Sequence, residues 1–83
     1  MIKIGGYGIN INLEKFIIKK DTEQALIQKI EYNHHNKLCL FSYDLINEGY
    51  RSSWGYRLIN IDTMKDITDK YKFYEGLFTN RYF

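Results

Sequence analysis

"KLCLFSYDLINEGYRSSWGYRLIN", residues 37–60, decides the fold. Runs rich in aliphatic and aromatic residues, the types that suit a pleated half-buried surface, stand on either side of Asn47-Glu48-Gly49. Those three residues suit a three-residue hairpin loop, with Gly49 in the left-handed conformation that a residue without Cβ adopts freely. If Ile46 pairs with Tyr50, Leu40 falls opposite Tyr56, Leu38 opposite Leu58 and Ser42 opposite Trp54, giving a mostly core face. The reverse face sets Phe41 against Gly55, Tyr43 against Ser53, Cys39 against Arg57 and Leu45 against Arg51, a mixture of aromatic and guanidinium groups. On this reading Tyr50, Trp54 and Tyr56 share one face and both arginines share the other.

Upstream, Asp21 with Gln24 three residues later resembles a capping box, and Leu26, Ile27 and Ile30 form an apolar stripe at helical spacing. This predicts a helix over about residues 22–33, ended by Asn33-His34-His35-Asn36. The run "EKFIIKK", residues 14–20, is too short for periodicity to separate strand from helical turn, and is read as a strand continuing from Leu13. Apolar residues alternate at Ile2 and Ile4, then at Ile9, Ile11 and Leu13 on the opposite parity. Gly5 and Gly6 therefore bend one strand or close a short hairpin.

Downstream, Thr63 with Asp66 gives a second capping box, and Met64, Ile67, Tyr71, Tyr74 and Phe78 recur at helical spacing. This predicts a helix over about 63–75, in which Gly76 costs about 1 kcal/mol or acts as C-cap. The tail 77–83 is left unplaced. The predicted architecture is α+β: one domain over 1–83, with a bent N-terminal strand or hairpin and the central hairpin 37–60 forming an antiparallel sheet packed against the two helices.

The composition suits a folded globule, with 45% hydrophobic residues and fourteen aromatics. A single cysteine, Cys39, rules out an internal disulfide, and no run approaches the roughly 20 apolar residues of a membrane span, so a cytoplasmic location is expected. The net charge of +2 is spread evenly, which predicts neither nucleic-acid binding by charge alone nor the acidic surface of a DNA mimic.

No catalytic constellation emerges. Gly5-Gly6-Tyr7-Gly8 is followed by β-like alternation rather than a helix, and no Gly-Lys-Ser/Thr follows, so a phosphate-cradling loop is not indicated. Gly6-Tyr7-Gly8-Ile9-Asn10-Ile11 overlaps an RNA-recognition motif but lacks its basic residue and further aromatics. His34 and His35 are adjacent and point apart, so they do not chelate a metal as an i, i+4 pair would. Ser42, Ser52, Ser53 and Cys39 lack any nucleophile-elbow or protease signature. The chain is expected to be a non-enzyme that uses no cofactor.

The remaining constellation is the aromatic and arginine-rich strand. Trp, Tyr and Arg dominate protein–protein hot spots, which predicts a small protein-binding module contacting its partner through Tyr50, Arg51, Trp54 and Arg57, with Phe78 and Tyr82 of the tail. The smallness and an AT-biased composition suit an accessory protein of a phage or other mobile element, inhibiting a host defence or replication machine. The alternative is a nucleic-acid-binding module on the same hairpin, with Tyr56 stacking and Lys19, Lys20 and Lys37 on phosphates. A homodimer through the hairpin edge or the tail is compatible with either.

Overall fold

The computed structural model describes residues 2–4 and 9–78. Strands β1 (Ile2–Ile4) and β2 (Ile9–Ile11) pair antiparallel, Ile4 opposite Ile9. The intervening Gly5–Gly8 stretch lies outside the described residues. Four further strands, β3 (Gln24–Asn33), β4 (Leu38–Asn47), β5 (Tyr50–Asn60) and β6 (Lys65–Asp66), form an antiparallel sheet in that order. Residues 68–77 make one helical segment: a 3₁₀ turn (Thr68–Lys70), α1 (Tyr71–Tyr74) and a second 3₁₀ turn (Glu75–Leu77). An α+β architecture built on an antiparallel sheet is therefore present; the pair of helices is not.

The helix predicted over 22–33 is strand β3. The register explains the misreading: Ala25 and Ile27 pair with Leu45 and Tyr43, Gln28 is an extra residue, and Ile30 and Tyr32 pair with Phe41 and Cys39. An alternating strand with one bulge thus puts residues 25, 27, 30 and 32 on one face, of which Ala25, Ile27 and Tyr32 pack against the core and Ile30 stays exposed, and the three-residue step across the bulge imitates a helical stripe. The turn before it uses Glu23, whose N–H donates to the Lys20 carbonyl (3.0 Å) while its carboxylate accepts the Lys20 N–H (2.9 Å). This reciprocal closure leads into a strand instead of a helix. Residues 14–20 are not a strand either: Leu13–Phe16 is a 3₁₀ turn that buries Leu13, and Ile17 packs beside it.

The hairpin over 37–60 is β4 and β5, closed more tightly than predicted. Asn47 pairs with Tyr50, leaving a two-residue turn with both Glu48 (φ 52°) and Gly49 (φ 82°) left-handed. Two positive φ values are the type I′ turn, whose twist matches the strands it joins. Ser52 is then an extra residue between the pairs Ile46–Arg51 and Leu45–Ser53. The tighter turn and the bulge together shift the register by two from the predicted one, so beyond the bulge each residue keeps its predicted face. Leu40 lies opposite Leu58, Ser42 opposite Tyr56 and Asp44 opposite Trp54.

β4 is the central strand and is covered on both sides. On one face Cys39, Phe41, Tyr43 and Leu45 pack with Ile59 under Ile11, Leu13 and Ile17 of the N-terminal segment. On the other, Leu38, Leu40 and Leu58 pack under Tyr71 and Phe78, with Ile67, Tyr74 and Tyr56 at the margin. The covers therefore come from opposite ends of the chain and lie on opposite faces, in place of two helices on one. Full burial of each such side chain contributes about 1.5–3 kcal/mol.

The helix predicted over 63–75 is the shorter helical segment 68–77; Ile67, Tyr71, Tyr74 and Phe78 do pack into one cluster as the stripe suggested, but Ile67 and Phe78 flank the segment and its start was not legible. Met64 is a left-handed turn residue (φ 57°) and half-exposed. Thr68, in place of Thr63, anchors the segment: its hydroxyl donates to Asp66 Oδ1 and accepts from Leu58 N–H (2.9 Å) and Arg57 Nε (3.0 Å). One donor and two acceptor sites of a hydroxyl are thereby all used. No helix among the described residues is long and apolar enough to cross a membrane.

Candidate functional site

The even-numbered residues of β4 run Leu38, Leu40, Ser42, Asp44, Ile46, and the polar pair Ser42 and Asp44 begins where the cover of the C-terminal segment stops. Beyond that point the sheet face carries a concavity of about 220 Å³, lined by Gln28 of β3, Ser42, Tyr43 and Asp44 of β4, and Arg51 and Trp54 of β5. Trp54 stands directly across from Asp44 and is 54% exposed. Leu26, on the other side of Asp44, is also exposed, so an aromatic and an aliphatic group flank one carboxylate.

The Ser52 bulge determines which side chains meet here. Without it, alternation places Arg51 on the face opposite Trp54, as the sequence reading held. With it, Arg51 pairs with Ile46 and turns to the Trp54 side, its Nη1 3.8 Å from Asp44 Oδ1. Tyr50, opposite Asn47 and 79% exposed, goes to the reverse side. Asp44 Oδ2 accepts a hydrogen bond from Gln28 Nε2 at 3.1 Å. The bulge is itself held: Ser52 Oγ donates to Glu23 Oε2 (2.8 Å) and lies 3.2 Å from the Leu45 carbonyl. The backbone N–H of Lys20 and the Ser52 hydroxyl hold the Glu23 carboxyl below the usual carboxylate range.

The other candidate residues scatter. Arg57, opposite Phe41, gives its Nε to Asp66 Oδ2 (3.0 Å) and Thr68 Oγ1, pinning β6 and the helical segment to β5. Phe78 is 3% exposed and part of the core, so it is not offered at the surface as an aromatic tail contact would be. Tyr56 packs its ring 5.2 Å from that of Tyr71, at the border of the covered half. Tyr82 lies outside the described residues.

Lys19 and Lys20 sit at the Glu23–Ser52 end of the sheet, and Lys19 Nζ donates to the Glu23 carbonyl (3.0 Å). Lys37 is in the β3–β4 turn at the far end, roughly 30 Å away at strand rise. The three lysines named for phosphates do not form one track. His34 and His35 lie in that same turn with ring centroids 6.0 Å apart. Among the described residues no group of three or more His, Cys, Asp or Glu side chains is placed to hold a metal ion. Cys39 is buried, and burial pushes its thiol up to about 12.

Sequence reasoning named Trp54 and Arg51 but missed Leu26, Gln28, Ser42 and Asp44. The signal available was the switch to polar residues at Ser42 and Asp44; the two β3 residues were hidden by the helical reading of that strand. No family model, curated protein or solved structure matches the chain, so the functional reading rests on the chemistry of this face.

Proposed function

We propose that the protein is a small non-enzymatic module that binds a partner protein through the uncovered half of its sheet face. The observation that carries this is the sole tryptophan, Trp54, half-exposed beside a concavity and flanked by Leu26, Arg51 and Asp44. Binding hot spots have this composition, an aromatic or arginine anchor with a polar surround. Leu26, Arg51, Trp54 and Asp44 are the contact residues of this proposal; Tyr50, on the reverse side of the sheet, is not among them. An accessory role for a phage or mobile element, inhibiting a host defence or replication machine, is the biological setting we attach to it on composition alone.

The test is affinity capture from lysate of the source organism, using the wild-type chain, Trp54→Ala and, as control, Phe73→Ala. Phe73 is 86% exposed on the helical segment that covers the other half of this sheet face, and it does not line the concavity. The reading expects a protein captured by the wild-type and control chains and lost with Trp54→Ala. Equal capture by all three, or loss only with Phe73→Ala, overturns it.

A further inference from the structure

The four-stranded sheet ends in two edges, and we infer that the β3 edge is a self-association site, where a second copy of this chain adds its own β3 antiparallel with Leu26 facing Leu26 across a two-fold axis. Backbone direction determines what that edge offers. Leu58 gives its N–H to Thr68 Oγ1 (2.9 Å) and its carbonyl accepts the Ile67 N–H (2.7 Å), so both groups point away from β4. Leu40, opposite Leu58, therefore turns its own groups toward β3, and Ser42, Asp44 and Ile46 do the same by alternation along β4. Leu26, opposite Asp44, and Gln24, opposite Ile46, bond β4, which leaves the N–H and C=O of Ala25 and Ile27 directed outward. Among the described residues no other strand or loop backbone pairs with them. A row of such groups is a template for an extended strand.

The sequence of the window selects a second copy as that strand. Gln24-Ala25-Leu26-Ile27-Gln28 is uncharged and has the same order of polar and apolar residues from either end. Paired about Leu26, Ala25 exchanges both backbone bonds with Ile27 of the second copy, and Ile27 does so with its Ala25. Leu26, 54% exposed, meets its own copy in a non-hydrogen-bonded pair, where side chains stand closest. On the reverse face Ala25 and Ile27, which already pack against the core, meet apolar residues again. The register is bounded at both ends: the Glu23 carbonyl is taken by Lys19 Nζ (3.0 Å), and the Gln28 bulge ends the regular edge. A pairing centred on Ile30 instead sets Tyr32 against that bulge.

The opposite edge, β5, carries the devices that keep edges from pairing: a bulge at Ser52, Arg51 and Arg57 along it, and β6 bonded across Ile59 and Asn60. Residues 24–27 have none of them. Like edge on like edge closes a two-fold dimer, whereas β3 on β5 would continue into a fibre. Trp54 lies two strands from the axis and stays open, so the dimer is separate from the partner-binding reading.

One shared strand buries less than the roughly 1,200 Å² of a standard interface, so the dimer is a weak one and is read by sedimentation equilibrium from about 10 µM to 1 mM. The mass is expected to rise toward twice that of the chain and no further. Over the same series the Ala25 and Ile27 amide protons should exchange more slowly in step with the loss of monomer. In a mixture of isotope-labelled and unlabelled chains, an intermolecular NOE should join the two Leu26 Hα protons. Leu26→Lys and Leu26→Glu, at an exposed position, are each expected to be monomeric alone, because like charges then face each other, and to associate when mixed.

Monomer at every concentration overturns the inference, as does association that Leu26→Lys leaves unchanged. So do mixed variants that stay monomeric, a mass that grows past the dimer, or protection and NOEs centred on Ile30 or on β5.

Discussion

Gly55, next to Trp54 on β5, lies against the buried Tyr43, and Gly55→Ala tests that packing by sign as well as size. Gly55 pairs with Tyr43, whose ring lies across it in the core: a Cβ at Gly55 would stand 2.6 Å from Tyr43 Oη and 2.8 Å from its Cζ. Both distances are closer than real Cβ contacts, and Tyr43 is buried at 7% exposure, so its ring cannot move aside freely. Overpacking of this kind costs about 1–3 kcal/mol. In a strand free of such a neighbour the same change would stabilise by roughly 0.5–1 kcal/mol, because glycine loses more backbone freedom on folding than alanine. For a domain of this size 1 kcal/mol moves Tm by about 4–8 °C, so Gly55→Ala is expected to lower Tm by roughly 5–20 °C in a calorimetric or circular-dichroism melt. In a Tyr43→Leu background, where the ring is gone, Gly55→Ala should become neutral or stabilising. An unchanged or raised Tm in the wild-type background refutes the packing, and an equal loss in both backgrounds refutes the assignment to Tyr43.

Thr68→Val removes the hydroxyl shared by Asp66, Arg57 and the Leu58 N–H; the partly buried donor left behind should cost about 1–3 kcal/mol, read from denaturant unfolding. The Glu23 carboxyl is depressed by the Lys20 N–H and the Ser52 hydroxyl, so its contribution to stability is present above the usual carboxylate range and is lost as pH falls through its lowered folded value. Glu23→Gln should flatten that acid limb of a Tm–pH series, and an identical series would remove the clamp on the bulge. Cys39, buried with its thiol pushed up to about 12, should resist alkylation at pH 8 in the folded chain and react promptly in denaturant. Rapid native labelling would contradict its place in the core.

The parts of the fold that were legible in the sequence keep their period over most of their length. β4 and β5 alternate around Glu48-Gly49 except at Ser52, and Ile67, Tyr71, Tyr74 and Phe78 all pack on one side of the C-terminal segment, of which residues 68–77 are helical. What misled was the bulge, which adds one residue and leaves no mark in composition. At Gln28 it turned the alternation of β3 into an apparent helical stripe, and at Ser52 it moved Arg51 from the face opposite Trp54 to the Trp54 side. Arg51 and Trp54 were thus named from residue type alone, while their meeting depends on a register that only the paired strands reveal. The start of the helical segment was displaced for a related reason. Asp66 and Thr68 bond to each other and to β5, a long-range contact that a search for local caps does not register.

The uncovered face around Trp54 is the centre of this account, and the sole tryptophan reports on it directly. Acrylamide quenching of its fluorescence, in the free chain and with the captured partner bound, is the measurement that bears on it most directly. The account expects a red-shifted emission open to quencher in the free monomer, and a blue-shifted, protected emission in the complex. A blue-shifted indole already protected in the free monomer, or one equally open to quencher with the partner bound, would contradict it.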